Sequence, residues 1–333
     1  MSPVNLGKAY RGKKVLVTGG LGFIGSNLAR NLVSLKAKVT LVDCLLPDQG
    51  GNTYNIQGIE KSVKVNDADI RDKESMDGLV KGQDYIFNLA GQVLHVDSMS
   101  DPFTDLDINC KGQLTLLEAC RANNPGVKIV YAGTRQAYGK PDYLPVDEEH
   151  PLRPVDINGI HKMSAEWYHF LYYAVYGIRS TSLRLTNTYG PRQITKHSRG
   201  GFTGWLIRQA IDNEEIQIFG DGSQLRDFTF VDDAVAAFLL CGASDKADGQ
   251  AFNLGGGRPY SVLEFVKNLV EVCHSGSYRI VPFPEERERI DIGGVYSSYD
   301  KIKNSLGWLP KTNLKAGLVQ TIEYFRQNRE HYW

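Results

Sequence analysis

Three glycines near the start of the chain are spaced to bind a phosphate-bearing ligand. Gly19, Gly22 and Gly25 directly follow a β-branched apolar run and open a segment with apolar residues at helical spacing. Glycine at such positions permits a tight turn, lets a pyrophosphate approach the backbone and brings the helix close to the strand. We expect the free backbone amides at Phe23 and Ile24, where the helix starts, to face the phosphates.

Asp43 indicates which dinucleotide this turn would bind. It ends the second predicted strand, at the distance from the glycine turn expected of a carboxylate that accepts hydrogen bonds from adenosine ribose hydroxyls. Such a carboxylate would repel a 2′-phosphate, and Cys44 and Leu45 follow it with no arginine to attract one. The sequence therefore favours NAD over NADP.

The elements that must position these residues alternate between strands and helices. Strands are predicted over 13–18, 38–43, 62–66, 84–88, 127–132 and 179–185, with helical patterns between most of them. This alternation predicts a parallel sheet covered by helices on both faces. Asp101 and Pro102 fit the N-cap and first turn of a long helix toward Cys120. Beyond residue 189 the connections are rich in glycine and proline, which predicts a smaller second lobe and a ligand cleft between the two.

Composition excludes several classes of function. The 333 residues contain 38 Lys plus Arg and 38 Asp plus Glu, so no excess charge favours nucleic acid or an anionic membrane as a partner. The five cysteines lack the paired spacing of a zinc site, and we expect no bound metal. No apolar stretch is long enough to cross a bilayer, and we expect a cytoplasmic protein with reduced cysteines.

The glycine spacing and a series of later motifs resemble the extended short-chain dehydrogenase/reductase family, which epimerises, dehydrates or decarboxylates nucleotide sugars. The matching segments are Asp69-Ile70, Asn88-Leu89-Ala90-Gly91, Asn109, Leu183 to Arg192, and Gly220-Asp221-Gly222 with Arg226 to Asp233. The resemblance implies a Rossmann doubly wound parallel sheet with a smaller C-terminal α/β substrate-binding lobe, and NAD as cofactor. It implies that residues 1–187 and 228–252 form the first lobe and residues 188–227 and 253–333 the second. It also implies cofactor contacts at Asp69, Ile70, Asn88, Ala90, Gly91 and Asn109.

The resemblance also implies a nucleotide-diphosphate sugar as the substrate. Asn187 and Arg226 match the positions that meet the diphosphate in the family, and Gln92, His95 and Arg135 are further candidates for substrate binding. Arg289, ahead of Asp291, is a candidate nucleotide contact, although this charged run could equally be a solvated surface loop.

The catalytic positions match the family with one departure. Family members use a Ser or Thr, a Tyr that takes the hydroxyl proton, and a Lys that lowers the tyrosine pKa and holds the nicotinamide ribose. Thr134 and Lys162 match two of these positions, but Asn158 stands where the tyrosine is expected, and an amide cannot serve as a general base.

Three explanations of Asn158 remain open at this point. Another group could act as the base, the candidates being His161, Tyr138, His95 or a water held by Asn158 and Lys162. Alternatively, the chain binds NAD or a nucleotide sugar without catalysis, or the asparagine was introduced by engineering.

The residues after Thr134 bear on the reaction. Dehydratases of the family carry Asp-Glu there and decarboxylases usually keep the Glu, whereas this chain has Arg135 and Gln136. Neither can act as an acid or base near neutral pH, which favours epimerisation, at C4 or C2 of the sugar, over dehydration or decarboxylation. The resemblance further implies a homodimer formed through helices over about 102–120 and 158–176, the second of which is rich in aromatic residues.

Overall fold

A parallel sheet of seven strands forms the centre of the molecule. The computed structural model describes residues 4–93, 95–197, 201–283 and 292–333. In spatial order the strands are β11 (Ala251–Asn253), β6 (Arg179–Leu185), β5 (Lys128–Thr134), β4 (Tyr85–Asn88), β1 (Lys14–Thr18), β2 (Lys38–Asp43) and β3 (Val63–Asp67). All six predicted strands form, and every pair in this sheet is parallel. The predicted Rossmann-type α/β fold is confirmed.

Helices cover both faces of this sheet. The helices of the described residues are α1 (Leu6–Tyr10), α2 (Phe23–Ser34), α3 (Lys73–Leu79), α4 (His95–Ser100), α5 (Pro102–Leu106), α6 (Gly112–Asn123), α7 (Ile157–Tyr176), α8 (Phe202–Ile211), α9 (Val231–Ala243), α10 (Val262–Cys273), α11 (Asp300–Leu306) and α12 (Leu314–Gln327). None of them combines the length and the apolar character that crossing a membrane requires.

Alternating residues of the strands build two separate cores. Val15 and Val17 point to one face, where they join side chains of α2 and α9, whereas Leu16 points to the other, where it joins side chains of α3 and α6. Alternation with a period of two is what places successive strand residues on opposite faces. Because both faces are buried there, the central strands β1, β4 and β5 are apolar at most positions.

Shorter pairs of strands lie beyond the main sheet. β7 (Asn187–Tyr189) pairs in parallel with β10 (Phe228–Phe230), and β8 (Glu215–Phe219) with β13 (Ser277–Val281). An antiparallel pair joins β9 (Leu225–Arg226) and β12 (Tyr260–Ser261). The chain returns to the main sheet at β11 before β12 and β13 complete two of these pairs. The boundaries expected for two lobes stay a prediction.

The helix expected from Pro102 toward Cys120 forms, with a wider turn inside it. A π-helical turn, Asp107–Lys111, separates α5 from α6. In this turn the side chain of Asn109 donates to the carbonyl of Gln92 at 3.0 Å and accepts from the Gln92 backbone N–H at 3.2 Å. Such turns occur where a side chain must be presented at a site, and here the wider turn brings Asn109 to the loop after β4.

Candidate functional site

A cleft of about 360 Å³ opens at the edge of the sheet where β1, β2, β4, β5 and β6 end. The parallel direction of these strands gathers their C-terminal residues at one edge, which is where ligands bind in open α/β sheets. The start of α8 and residues 186–188 line the cleft as well. Of the candidate residues, fifteen line it: Gly19, Gly22, Phe23, Ile24, Gly25, Asp43, Asp69, Ile70, Ala90, Gly91, Gln92, Thr134, Asn158, Lys162 and Asn187.

The glycine turn is packed too tightly for side chains. A Cβ at Gly25 would lie 2.2 Å from the carbonyl oxygen of Gly19, and a Cβ at Gly19, whose φ is +65°, would lie 3.0 Å from the backbone of Ala90. Gly22 caps α2 without any side-chain hydrogen bond, so the amides of the first helical turn are not satisfied by a cap. These amides, at the positive end of the helix dipole, fit a pyrophosphate.

Asp43 lies beside this turn at the end of β2. Its two carboxylate oxygens accept from the backbone N–H groups of Leu21 and Leu45, both at 3.0 Å. Burial raises the pKa of Asp43, and the two backbone hydrogen bonds partly offset that effect. A carboxylate fixed in this way at the rim of the cleft fits a ribose, and with the turn it satisfies the requirements of an adenine dinucleotide.

Two candidate cofactor residues lie behind the cleft lining. The buried Asn88 accepts a hydrogen bond from the Thr18 hydroxyl at 2.9 Å and donates to Gln113 at 2.6 Å. Asn109 is buried and bonded to the backbone of Gln92. Both side chains hold the floor of the cleft in place, and their direct contact with a cofactor stays a prediction.

Thr134, Asn158 and Lys162 line the same part of the cleft. The Thr134 hydroxyl donates to Oε1 of Gln136 at 3.0 Å. Lys162 lies on α7, a helix that begins where the Asp156 side chain accepts from the Gly159 N–H, and its Nζ donates to the carbonyl of Ala132 at 2.6 Å. Burial lowers the pKa of Lys162 to about 8, although nearby acidic groups oppose the shift.

Asn158 is held by a buried carboxylate that the sequence analysis did not single out. Its Nδ2 donates to Oδ2 of Asp105 at 2.9 Å and to the carbonyl of Gln92 at 3.0 Å. The other oxygen of Asp105 lies 2.7 Å from Nδ1 of His161. Asp105 is fully buried, and nothing in its sequence setting separates it from other acidic residues in the first turn of a helix.

This arrangement bears on the candidate bases. His161 is held at Nδ1 by Asp105 and does not line the cleft. The hydroxyl of Tyr138 is buried, donates to Asn253 at 2.7 Å and accepts from Arg184 at 2.6 Å. Burial raises the pKa of Tyr138 to about 12, although Arg184 opposes the shift. A phenol with this pKa stays protonated near neutral pH.

The candidate substrate residues are only partly gathered at the cleft. Asn187 lines it and donates to the carbonyl of Asp227 at 2.9 Å. Arg226 donates to the carbonyl of Leu225 at 2.9 Å and, like Arg135, is not in the lining. The side chain of His95 and all of Arg289 lie outside the described residues.

Several polar residues that line the cleft were not among the candidates. They are Gln49, Gln136, Thr186, Thr188, Gln193 and Thr203. Thr186 and Thr188 flank Asn187 in a segment that already resembled the family. Gln49 comes from the loop after β2, outside any motif, so only the folded chain could assign it. Thr203 lies in the first turn of α8.

Comparison with known proteins agrees with this geometry. Residues 15–255 match the model of the NAD dependent epimerase/dehydratase family. The chain is 31% identical over 325 residues to a UDP-glucose 4-epimerase of Mycolicibacterium smegmatis, covering 95% of this chain and 100% of that protein. It resembles the crystal structure of UDP-glucose 4-epimerase from Thermotoga maritima with UDP-glucose, with a TM-score of 0.86, 34% identity, and coverage of 95% and 99% of the two chains. It also resembles a dTDP-glucose 4,6-dehydratase of Streptomyces venezuelae with NAD bound, with a TM-score of 0.86, 26% identity, and coverage of 95% and 98%.

Proposed function

Since the chain belongs to the NAD-dependent epimerase/dehydratase family, we propose that it is a nucleotide-sugar epimerase that inverts one carbinol carbon, at C4 or C2. NAD is the cofactor, and when bound it accepts a hydride from the sugar and returns it. The turn at Gly19, Gly22 and Gly25 would hold its pyrophosphate and Asp43 its adenosine ribose. The substrate would be a nucleotide-diphosphate sugar.

The side chain of Gln136 is the observation that supports epimerisation over elimination. It lines the cleft two residues after Thr134, accepts from the Thr134 hydroxyl and donates to Asp156 at 3.0 Å. Elimination of water needs an acid for the leaving hydroxyl in addition to a base, and an amide can be neither. Epimerisation needs one group that takes a proton and gives it back, which makes it the reaction this site supports best.

Residues of this chain would bind and orient the sugar in that reaction. The Thr134 hydroxyl, at the end of β5, would exchange its bond to Gln136 for one to the reacting hydroxyl. Nδ2 of Asn158 donates to Asp105 and Gln92, which leaves its carbonyl oxygen as an acceptor for a sugar hydroxyl. Asn187 would contact the diphosphate, and Arg226 is proposed for the same role after a change of side-chain position.

Turnover in deuterium oxide tests this function. Purified protein with NAD is incubated with UDP-, dTDP-, CDP- and GDP-linked sugars, and products are analysed by NMR. We expect an epimer without deuterium on carbon, because a directly returned hydride does not exchange with solvent. Carbon-bound deuterium in the product would contradict the epimerase and favour a dehydratase or decarboxylase.

Asn158 supports one competing function, which is binding without catalysis. Its amide replaces the only tyrosine expected at the reacting centre. Under this alternative a sugar nucleotide would bind, measured by calorimetry, while the absorbance of reduced nicotinamide would not appear with any sugar. A transient absorbance at this band during turnover would exclude it.

A further inference from the structure

We propose that Lys162 is the general base and general acid of this site, taking the sugar hydroxyl proton and returning it, and this inference rests on the proposed epimerase function. The lysine would then be a catalytic residue and not only a group that adjusts a neighbouring tyrosine. The argument starts from which titratable groups reach the cleft.

Among the described residues that line the cleft, four have titratable side chains. Asp43, Cys44 and Asp69 lie at the ends of β2 and β3, on the side where the adenosine would bind, and Lys162 is the fourth. Its Nζ lies beside the cleft floor, since a Cβ at Gly91 would be 3.6 Å from it. Within the described lining, Lys162 is therefore the titratable side chain that lies on the same side of the cleft as Thr134.

Asn158 and two of the other candidate bases are engaged elsewhere, and the side chain of His95 lies outside the described residues. Asn158 carries an amide, and its nitrogen donates to Asp105 and Gln92. His161 is bound to Asp105 outside the cleft lining. Tyr138 is bonded to Asn253 and Arg184 behind it. We assign positioning roles to Asp105 and Asn158, which together fix the first turn of α7 and with it the helix that bears Lys162.

The contacts of Lys162 stabilise its charged form, and its burial acts in the opposite direction. Its Nζ lies 4.6 Å from the centre of the Tyr131 ring of β5 and 2.6 Å from the Ala132 carbonyl. Two carboxylates face it, Asp105 from α5 and Glu166 from its own helix. Glu166 is already paired with a guanidinium, that of Arg184 of β6 at 2.6 Å.

Other groups around Lys162 do not restore its ordinary basicity. His169, about two helical turns along α7, is buried and its Nδ1 donates to the Ala165 carbonyl at 2.9 Å. Burial lowers its pKa to about 4, so it stays neutral. Burial likewise lowers the pKa of Lys162 to about 8, against the opposing effect of Asp105 and Glu166. An amine in this range is present in both forms near neutral pH, as a group that must take and return a proton should be.

The proposed step balances in protons and electrons. In the oxidation, the neutral amine of Lys162 takes the proton of the sugar hydroxyl, the O–H and C–H bonds break, and the carbonyl forms. The hydrogen on carbon leaves with its electron pair to the oxidised nicotinamide of NAD. The keto sugar then rotates so that its opposite face is presented. The Lys162 ammonium returns the proton to oxygen as the hydride returns to that face of the carbon.

Titration of Lys162 by NMR provides a test that does not depend on turnover. Protein carrying ¹⁵N-lysine, with NAD bound, is titrated, and the signal of Lys162 is assigned from its absence in Lys162→Arg. We expect a midpoint near 8 for Lys162. The usual value for a lysine side chain is about 10.4. A midpoint near that usual value for Lys162 would overturn the proposal.

Kinetics of two variants separate a base from a positioning group. Lys162→Arg keeps a positive charge and a donor but cannot release a proton, so we expect kcat to fall by about 100-fold or more while NAD stoichiometry is retained. Wild-type kcat/KM should rise with pH through about 8, because the neutral amine is the active form. His161→Gln should lose far less activity than Lys162→Arg.

The outcomes also separate this proposal from the proposed function. Activity of Lys162→Arg within tenfold of wild type, or an equal loss in His161→Gln, would overturn the assignment of the base while the epimerase stands. A wild-type protein that turns over no sugar nucleotide would contradict the epimerase and the base together. Rescue of Lys162→Ala by added primary amines, with rates that follow amine basicity, would support the base directly.

Discussion

At the scale of single residues, the site is organised around one buried carboxylate. Asp105 accepts from the Asn158 amide through one oxygen and binds His161 through the other. A buried carboxylate is tolerated when its oxygens are satisfied by hydrogen bonds of this kind. Asn158 therefore has a structural role of its own, because it supplies a hydrogen-bond donor to the buried Asp105 carboxylate.

The substitution Asn158→Asp tests whether Asn158 is needed as the hydrogen-bond donor to Asp105. It is nearly isosteric but places two carboxyl groups at the present 2.9 Å separation, where ionising both is strongly unfavourable. We expect a loss of about 2–4 kcal/mol in the free energy of unfolding at pH 8 and a smaller loss at pH 5, where the pair shares a proton. Urea denaturation at the two pH values measures both losses.

A swapped pair is the control for that variant. In Asn158→Asp with Asp105→Asn, the donor and the acceptor exchange places, so at least half of the lost stability should return. If Asn158→Asp alone is as stable as wild type at pH 8, the hydrogen bond between these residues does not matter to the fold.

At the scale of secondary-structure elements, the unit of β1, the glycine turn and α2 is the one that local rules determine most completely. The tight approach of Gly25 to the Gly19 carbonyl explains why no side chain is tolerated there. The capping box of α10 is equally local, with Ser261 and Glu264 each bonding the other's backbone N–H. In contrast, the π-helical turn Asp107–Lys111 depends on a bond from Asn109 to a distant loop.

The glycine turn can be tested with Gly25→Ala. Its methyl group would lie 2.2 Å from the Gly19 oxygen, so the turn must open, and we expect NAD affinity, measured by calorimetry, to fall more than about tenfold. Gly78→Ala is the matched control, since a Cβ there meets nothing within 4 Å and the position is inside α3.

The control variant has its own expected effect. Alanine in a helix interior is favoured over glycine by roughly 0.5–1 kcal/mol, so Gly78→Ala should stabilise the protein slightly and leave NAD affinity unchanged. Unchanged affinity in Gly25→Ala would contradict the binding of the cofactor pyrophosphate at this turn.

At the scale of the whole molecule, an apolar stripe remains uncovered on α7. Trp167, Leu171 and Val175 repeat at a spacing of four residues, so they share one side of the helix, and their side chains are 57%, 53% and 60% exposed. Phe103, at the start of α5, is 77% exposed. Large apolar side chains grouped in this way usually mark an interface, and we propose that a second copy of the chain covers them.

The variant Leu171→Glu tests the dimer. A charge in the middle of a covered apolar stripe must be desolvated, so the variant should sediment as a monomer at a micromolar concentration at which wild type is a dimer. Ile280→Glu on β13 is matched in exposure, 52% against 53%, and should not change the mass. A wild-type protein that sediments as a monomer would contradict the interface.

The sequence by itself determined the elements and the cofactor end of the site. Strand and helix periodicity, the glycine turn and Asp43 are properties of short segments, because each depends on residues within one strand, turn or helix. They were sufficient to predict the parallel sheet and NAD, and the later motifs added the resemblance to the family. Thr134, Asn158 and Lys162 were identified by the resemblance to the family, and a parallel sheet brings the ends of their elements to one edge.

Only the tertiary structure decided which groups share an environment. The pairing of Asp105 with Asn158 and His161 joins positions 53 and 56 residues apart, and no local pattern encodes it. The lowered pKa of Lys162 arises from burial by β5 and α7 together. Arg226 is the opposite case. A motif singled it out in the sequence, but in the fold its side chain binds backbone carbonyls and is not in the cleft lining. Burial and long-range hydrogen bonds depend on the packed chain as a whole, which is why residue spacing predicted the parts of this site and not their chemistry.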